Sequence, residues 1–292
     1  MHGVGESTAA ITIVNALSTG VGAAAGIEMT ARAEVTLHPA GSTGKWEVRV
    51  DDANRTPLVI ASLTGALRRF APGSSGSAEL TVRSEIPVAR GLKSSSAVSS
   101  AVVLAVARAT DVDVSRLEVA RLSAEIAISS GVSATGAFDD ALAGLSEGIV
   151  VTDNRRQELL STLSFEPELG LVLYIPRATH RPSPEWSAAF RSESRTAQTA
   201  VDAVLRGDWV RAMTENTRLV ERVMRYDYDS LRTKLHQRGA VAAGVSGMGP
   251  ALAAVAPRTR LRELLAALPT NSDDRDVFAF SSRSRPAPDV AQ

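Results

Sequence analysis

The chain has no cysteine. That absence removes disulfide frameworks, thiolate zinc sites, iron–sulfur clusters and cysteine nucleophiles together. Histidine is nearly as scarce. The four present, His2, His38, His180 and His236, lie far apart in the sequence, which disfavours a histidine metal cage. Lysine is scarce as well. Of 32 basic residues only Lys45, Lys93 and Lys234 are lysines, and the rest are arginines. Codon composition alone can produce such a bias. It still singles out each lysine, because lysine and arginine are not interchangeable at phosphate sites. Net charge is missing too, since 32 basic residues balance 32 acidic ones. A nucleic-acid binder normally carries a basic domain, so a nucleic-acid partner is not expected.

What is present reads as an ordinary globular chain. With 292 residues, 44% hydrophobic and 22% charged, it buries a full core without staples. The length sets a soft expectation of about two domains. Residues 7–27 carry no charge, a run long enough to cross a membrane. Its content argues otherwise. Asn15, Gly20, Gly22 and Gly26 sit among small alanines, and no Lys or Arg precedes them to start a signal peptide. The expectation is a cytoplasmic protein with no membrane association.

Periodicity supplies the elements. Residues 10–17 read as a buried strand followed by a Gly-rich turn. From Ile27 the pattern alternates, with Met29, Ala31, Ala33 and Val35 on one face. Further strands are expected over 46–50, 78–86, 148–152, 169–175 and 277–280. Helices are expected over 57–70, 96–110, 115–129, 185–205, 209–225, 229–238 and 258–268, with a short one opening at 138. Ser115 and Glu118 form a capping box. Residues 153–156 read as a polar turn and 283–292 as a disordered tail. Strands in both halves give an α+β chain with two lobes. Apolar faces on the C-terminal helices fit either a core or a homodimer contact.

Three Gly/Ser-rich loops carry the chemistry. The first runs Pro87-Val88-Ala89-Arg90-Gly91-Leu92-Lys93-Ser94-Ser95-Ser96-Ala97, between an expected strand and a long helix. A helix start offers unpaired N–H groups and a positive dipole end. Gly91 allows close approach, the serines add hydroxyls, and Lys93 adds a point charge, which together make a phosphate cradle. The alternative is an ordinary Ser-capped helix start. No Walker A pattern occurs anywhere. The second loop, residues 131–140, ends on Asp139 and Asp140. As an isolated pair these would be dipole-favoured caps. Beside a phosphate loop they become candidates to accept a hydroxyl proton or to hold Mg²⁺. The third loop, residues 244–250, holds Gly244, Gly247 and Gly249, read as a close backbone approach or simply as a tight connection.

In this order the loops resemble those of the GHMP kinases (the galacto-, homoserine, mevalonate and phosphomevalonate kinases), and most of all the archaeal-type shikimate kinases. The resemblance covers roughly residues 8–255. It rests on Thr12-Ile13-Val14-Asn15-Ala16 with Thr19-Gly20, on Ile86-Pro87 through Gly91-Leu92-Lys93-Ser94-Ser95-Ser96-Ala97, on Thr135-Gly136-Ala137-Phe138-Asp139-Asp140-Ala141, and on Ala242, Gly244, Ser246, Gly247, Gly249 and Pro250. It implies a two-lobed fold, with a mixed α/β ATP lobe over residues 1–155 and a ferredoxin-like α/β lobe over 156–282.

The resemblance also implies a function. The enzyme would pass the γ-phosphoryl of ATP to the 3-hydroxyl of shikimate, in aromatic amino acid biosynthesis. Pro87, Arg90, Gly91, Leu92, Lys93, Ser94, Ser95, Ser96 and Ala97 would wrap the ATP phosphates, with Ser95 and Glu125 on Mg²⁺. Asp139 would be the catalytic aspartate, with Asp140 as its aid or the true base. Asn15, Thr19, Gly247 and Gly249 would lie at the substrate. One departure stands out. The family often has Lys between the two glycines after Thr19, where this chain has Val21. That leaves open a different hydroxylated acceptor; a non-catalytic nucleotide sensor on the same scaffold is the third reading, against which Asp139 and Lys93 speak. Arg177, His180 and Arg181 are a further candidate set, for a carboxylate.

Overall fold

A computed structural model describes residues 1–41, 44–51, 56–133, 135–166, 168–176, 184–269 and 275–281. Arg177, His180, Arg181 and the expected tail at 283–292 lie outside the described residues, as does Ala134 of the second loop.

The first sheet is built on one long strand. β1 (His2–Val14) runs antiparallel along one edge of β2 (Val21–Gly41). β4 (Ser75–Ser84) takes the other edge opposite residues 31–41, and β5 (Ile149–Asp153) takes it opposite residues 21–25. β3 (Trp46–Val50) pairs parallel to β4, and β6 (Glu158–Leu163) pairs with β5. β1 starts well before the expected residue 10 and stops at Val14, short of 17, while β2 begins before Ile27. Gly3, Gly5 and Ser7 fill the buried positions at the start of β1, and such small residues give no apolar alternation to read. The expected Gly-rich turn is shorter than thought, because Ala23, Ala24 and Ala25 are already buried strand. β6 was not expected at all. It is a largely exposed edge strand with polar positions.

Four helices accompany this sheet: α1 (Pro57–Phe70), α2 (Ser94–Ala109), α3 (Arg116–Ser129) and α4 (Phe138–Ala143). α1 starts where the sequence places it, with Pro57 in the first turn and the Thr56 hydroxyl accepting the Val59 N–H at 3.3 Å. α2 is apolar on nearly all sides, with Ala101 through Ala107 buried, as suits a central helix. It packs on β1 and β2 and carries α1 and α3 on its flanks. The capping box of α3 forms as expected.

The second sheet contains β7 (Leu169–Pro176), β8 (Ala242–Val245), β9 (Leu252–Pro257) and β10 (Arg275–Ser281), in the order β10-β7-β9-β8. Every pair is antiparallel. Between β7 and β8 lie α5 (Pro184–Ser192), α6 (Ser194–Leu205), α7 (Trp209–Met224) and α8 (Asp229–Gln237), and α9 (Leu261–Ala267) joins β9 to β10. This is the ferredoxin-like order. The helix expected over 185–205 divides at Glu193, which stands between α5 and α6. Val172, Phe190, Leu219, Val220, Leu235 and Leu252 anchor a second apolar cluster. Among the described residues no helix is long and apolar enough to cross a membrane.

Candidate active site

The three loops meet around a cavity of about 230 Å³. Its first wall is the start of α2. Lys93 occupies the N-cap position with a left-handed backbone, φ 65°, and no side chain caps the helix. The opening N–H groups of a helix have no intrahelical partner. Here they belong to Ser94, Ser95 and Ser96, and all three serines line the cavity. The positive end of a 16-residue helix thus faces an open space beside a lysine.

The third loop locks the first in place. At Gly91, φ 86°, an added Cβ would lie 2.1 Å from the Ser246 carbonyl oxygen. The fully buried Ser246 hydroxyl donates to the Gly91 carbonyl at 2.8 Å and accepts the Thr12 N–H at 3.2 Å. Gly247 N–H donates to Thr12 Oγ1 at 2.9 Å, and Asn15 Nδ2 donates to the Gly247 carbonyl at 3.1 Å. Ala251 N–H reaches the Arg90 carbonyl at 3.1 Å. The end of β1, the first loop and the β8–β9 turn are therefore one hydrogen-bonded unit. Two stacked tyrosines brace it from behind. Tyr226 donates to the Met248 carbonyl at 2.8 Å and Tyr228 to the Pro250 carbonyl at 2.9 Å. Burial raises the pKa of both phenols, which keeps them donors.

The opposite wall holds the carboxylates, in the first turn of α4. Asp139 is 4% exposed and Asp140 9%. Lys93 Nζ lies 2.9 Å from Asp140 Oδ1 and 3.1 Å from Oδ2. Burial and the adjacent charge of Asp139 push the Asp140 carboxyl up to about 7, against the pull of Lys93. Asp139 is held by Asn154. The Asn154 Nδ2 donates to Asp139 Oδ1 at 2.7 Å, and Asn154 Oδ1 accepts the Asp139 N–H at 3.1 Å. Behind Asp139 is Gly22, where a Cβ would lie 2.3 Å from Oδ2.

Most of the expected residues converge. Pro87, Gly91, Leu92, Lys93, Asn15, Gly247, Gly249, Asp139 and Asp140 line the cavity with the three serines. Four do not. The Arg90 guanidinium donates to the Pro176 carbonyl at the end of β7. Ala97 is buried in the main core. Thr19 Oγ1 accepts the Val21 N–H at 3.1 Å, inside its own turn. Glu125 is exposed on α3, while its neighbours Ala124 and Ile126 face inward.

Other participants gave no local signal. Asn154 fell in an expected polar turn, and Ser187 of α5 reaches the cavity from the other lobe. Among the described residues no cluster of three His, Asp or Glu side chains is arranged to hold a metal. Mg²⁺ that arrives with a nucleotide needs only one or two protein oxygens. The Ser95 hydroxyl and the Asp139 and Asp140 carboxylates, all on this cavity, fit that requirement.

Val21 projects away from this chemistry. Successive side chains of a strand alternate, so position 21 leaves β2 on the face opposite to the one where Gly22 meets Asp139. Val21 packs against the main apolar cluster.

Comparison with known proteins agrees with the geometry. Residues 59–148 match the family described as the GHMP kinases N terminal domain. A shikimate kinase of Pyrococcus furiosus is 36% identical over 255 residues, covering 87% of this chain and 92% of that protein. A shikimate kinase of Methanosarcina acetivorans is 33% identical over 282 residues, covering 93% and 94%. The mevalonate kinase structure of Methanococcus jannaschii superposes with a TM-score of 0.74, covering 97% of this chain and 99% of that one at 16% identity, so that likeness speaks for the fold. With its loops on one cavity and relatives this similar over nearly their whole length, the chain belongs to the GHMP kinase family, as an ATP-dependent small-molecule kinase.

Proposed function

We propose that the chain transfers the γ-phosphoryl of ATP to the 3-hydroxyl of shikimate, giving shikimate 3-phosphate and ADP. The observation that carries the reading is the uncapped start of α2, with Lys93, facing a buried carboxylate pair across one cavity. An anion cradle and a proton acceptor on opposite walls suit transfer to an alcohol. The acceptor follows from relatives that are named shikimate kinases.

The residues take these roles. The N–H groups and hydroxyls of Ser94, Ser95 and Ser96 cradle the phosphates, and Lys93 neutralises charge on them. Gly91, Leu92 and Pro87 shape the loop. Ser95 would hold Mg²⁺, which supplies charge neutralisation of the phosphoryl oxygens when bound. Asp139 receives the acceptor hydroxyl proton, and Asp140 keeps Lys93 in place. Asn15, Gly247 and Gly249 line the acceptor end. Catalysis then rests on positioning and on charge that is already in place. Glu125 faces solvent, so it is not part of this arrangement.

The lobe division belongs to the same proposal. The place of β6 in the first sheet favours a lobe boundary after Leu163, beyond the residue 155 expected from the sequence. A cytoplasmic location remains part of it, supported by the need for ATP, whereas the apolar faces of the C-terminal helices are taken up by the second core.

A second reading, a different hydroxylated acceptor, rests on Val21. The direction of position 21 weakens it, because the side chain there points away from the Asp139 face. ADP release measured with shikimate and with other hydroxy acids decides between the two. Turnover that depends on shikimate supports the first reading, and turnover that depends only on another acid supports the second.

A further inference from the structure

We propose that Asn154 is a positioning residue that presents one chosen oxygen of Asp139, Oδ2, to the acceptor hydroxyl. This rests on the reading that Asp139 receives the proton.

The orientation of the Asn154 amide is fixed by its neighbours. Its Oδ1 accepts from the Asp139 backbone N–H at 3.1 Å and from the Thr152 hydroxyl at 2.7 Å. A backbone N–H can only donate, so the atom facing it is the oxygen. The other end, Nδ2, must then face Asp139 Oδ1, to which it donates at 2.7 Å. Asn154 is 2% exposed and Thr152 is fully buried. The Asn154 N–H also donates to the Gly20 carbonyl at 2.8 Å, which ties the turn to the segment that enters β2.

The two oxygens of Asp139 are thereby made unequal. Oδ1 is occupied by an amide donor. Among the described residues Oδ2 accepts no hydrogen bond, and it lies against Gly22, whose missing side chain leaves the space for it. In the transfer, the acceptor O–H proton passes to Oδ2. The acceptor oxygen forms its bond to the γ-phosphorus, the bond from that phosphorus to the ADP oxygen breaks, and its electron pair leaves with ADP. Asn154 touches neither substrate in this step. It holds the carboxylate at the angle that aims Oδ2.

A purely structural role differs in one way. Asn154 Oδ1 also caps the first turn of α4, and an aspartate in its place keeps that acceptor while losing the donor. Kinetics of N154A, N154D and D139N therefore separate the roles. The expected result is a fall in kcat of about 10–100-fold in N154A and a larger fall in N154D, with the KM for ATP within about two-fold of wild type. T152V, which removes one of the two donors that hold the amide oxygen, should lower kcat by a smaller factor, and it serves if the Asn154 variants fail to fold. An N154D enzyme as active as wild type, or a T152V enzyme with unchanged kcat where only T152V folds, overturns the inference while D139N is inactive. An active D139N overturns instead the reading on which it rests.

Discussion

Lys93 Nζ sits between the two oxygens of the Asp140 carboxylate, at 2.9 and 3.1 Å, in a cavity that leaves both side chains nearly buried. The lysine reaches the carboxylate from the loop that opens α2, so the proposed phosphate wall and the acid wall are tied by one ion pair. Above about pH 7, where the Asp140 carboxyl is ionised, removing Lys93 leaves that charge buried and unpaired, which typically costs about 3–5 kcal/mol. Lys93→Ala should therefore lower stability in denaturant unfolding. It should also raise the KM for ATP or lower kcat. An unchanged ATP dependence would contradict the phosphate role of Lys93.

Asp140 gives stability a pH dependence of known sign. Its carboxyl is raised from the ordinary carboxylate range to about 7 by burial and by Asp139, so the folded state holds the proton more tightly than the unfolded chain. The resulting stabilisation is complete below the ordinary carboxylate range and is lost as pH rises through about 7. Thermal melts without nucleotide should show wild type losing stability relative to Asp140→Asn between about pH 4 and 7. Histidine titration cancels in that difference. A difference that stays flat with pH would mean the carboxyl is not raised.

Asp139 is the proposed proton acceptor. Asp139→Ala should lower kcat by about 10²–10⁴, with the KM for ATP changed only a few-fold. If Asp139→Ala and Asp140→Ala both turn over within a few-fold of wild type, the assignment of the pair is wrong.

Gly91 and Gly73 share a left-handed backbone, with φ 86° and 73°, but not the same surroundings. A Cβ at Gly91 would meet the Ser246 carbonyl oxygen at 2.1 Å, whereas at Gly73 nothing lies within 4 Å. Both alanine variants carry the backbone strain of roughly 1–2 kcal/mol. Only Gly91→Ala should separate the first loop from the third, seen as at least about a tenfold rise in the KM for ATP. Equal kinetics in the two variants would show that the contact does not matter.

Where the sequence spoke through local patterns, it was legible. Pro57 and the apolar spacing to Phe70 marked α1 at both ends, and Ser115 with Glu118 marked the start of α3. The three loops were readable as glycine and serine clusters. Their meeting was not, because Gly91 and Ser246 are 155 residues apart and no periodicity reaches that far. Asn154 was hidden for the same reason. It partners a residue 15 positions away, from a turn whose polar composition already had an ordinary explanation. Glu125 lies off the cavity for a local reason. The inward face of α3 contains Ala124 and Ala127, which turns position 125 outward.

The most direct test is ADP release by the purified chain with ATP and Mg²⁺, offered shikimate, homoserine or mevalonate one at a time. A site built to hydrogen-bond one polar acceptor rejects others strongly. Turnover with shikimate should proceed at a kcat/KM at least about 100-fold above the other two. Equal turnover with homoserine or mevalonate, or none with shikimate, would contradict it.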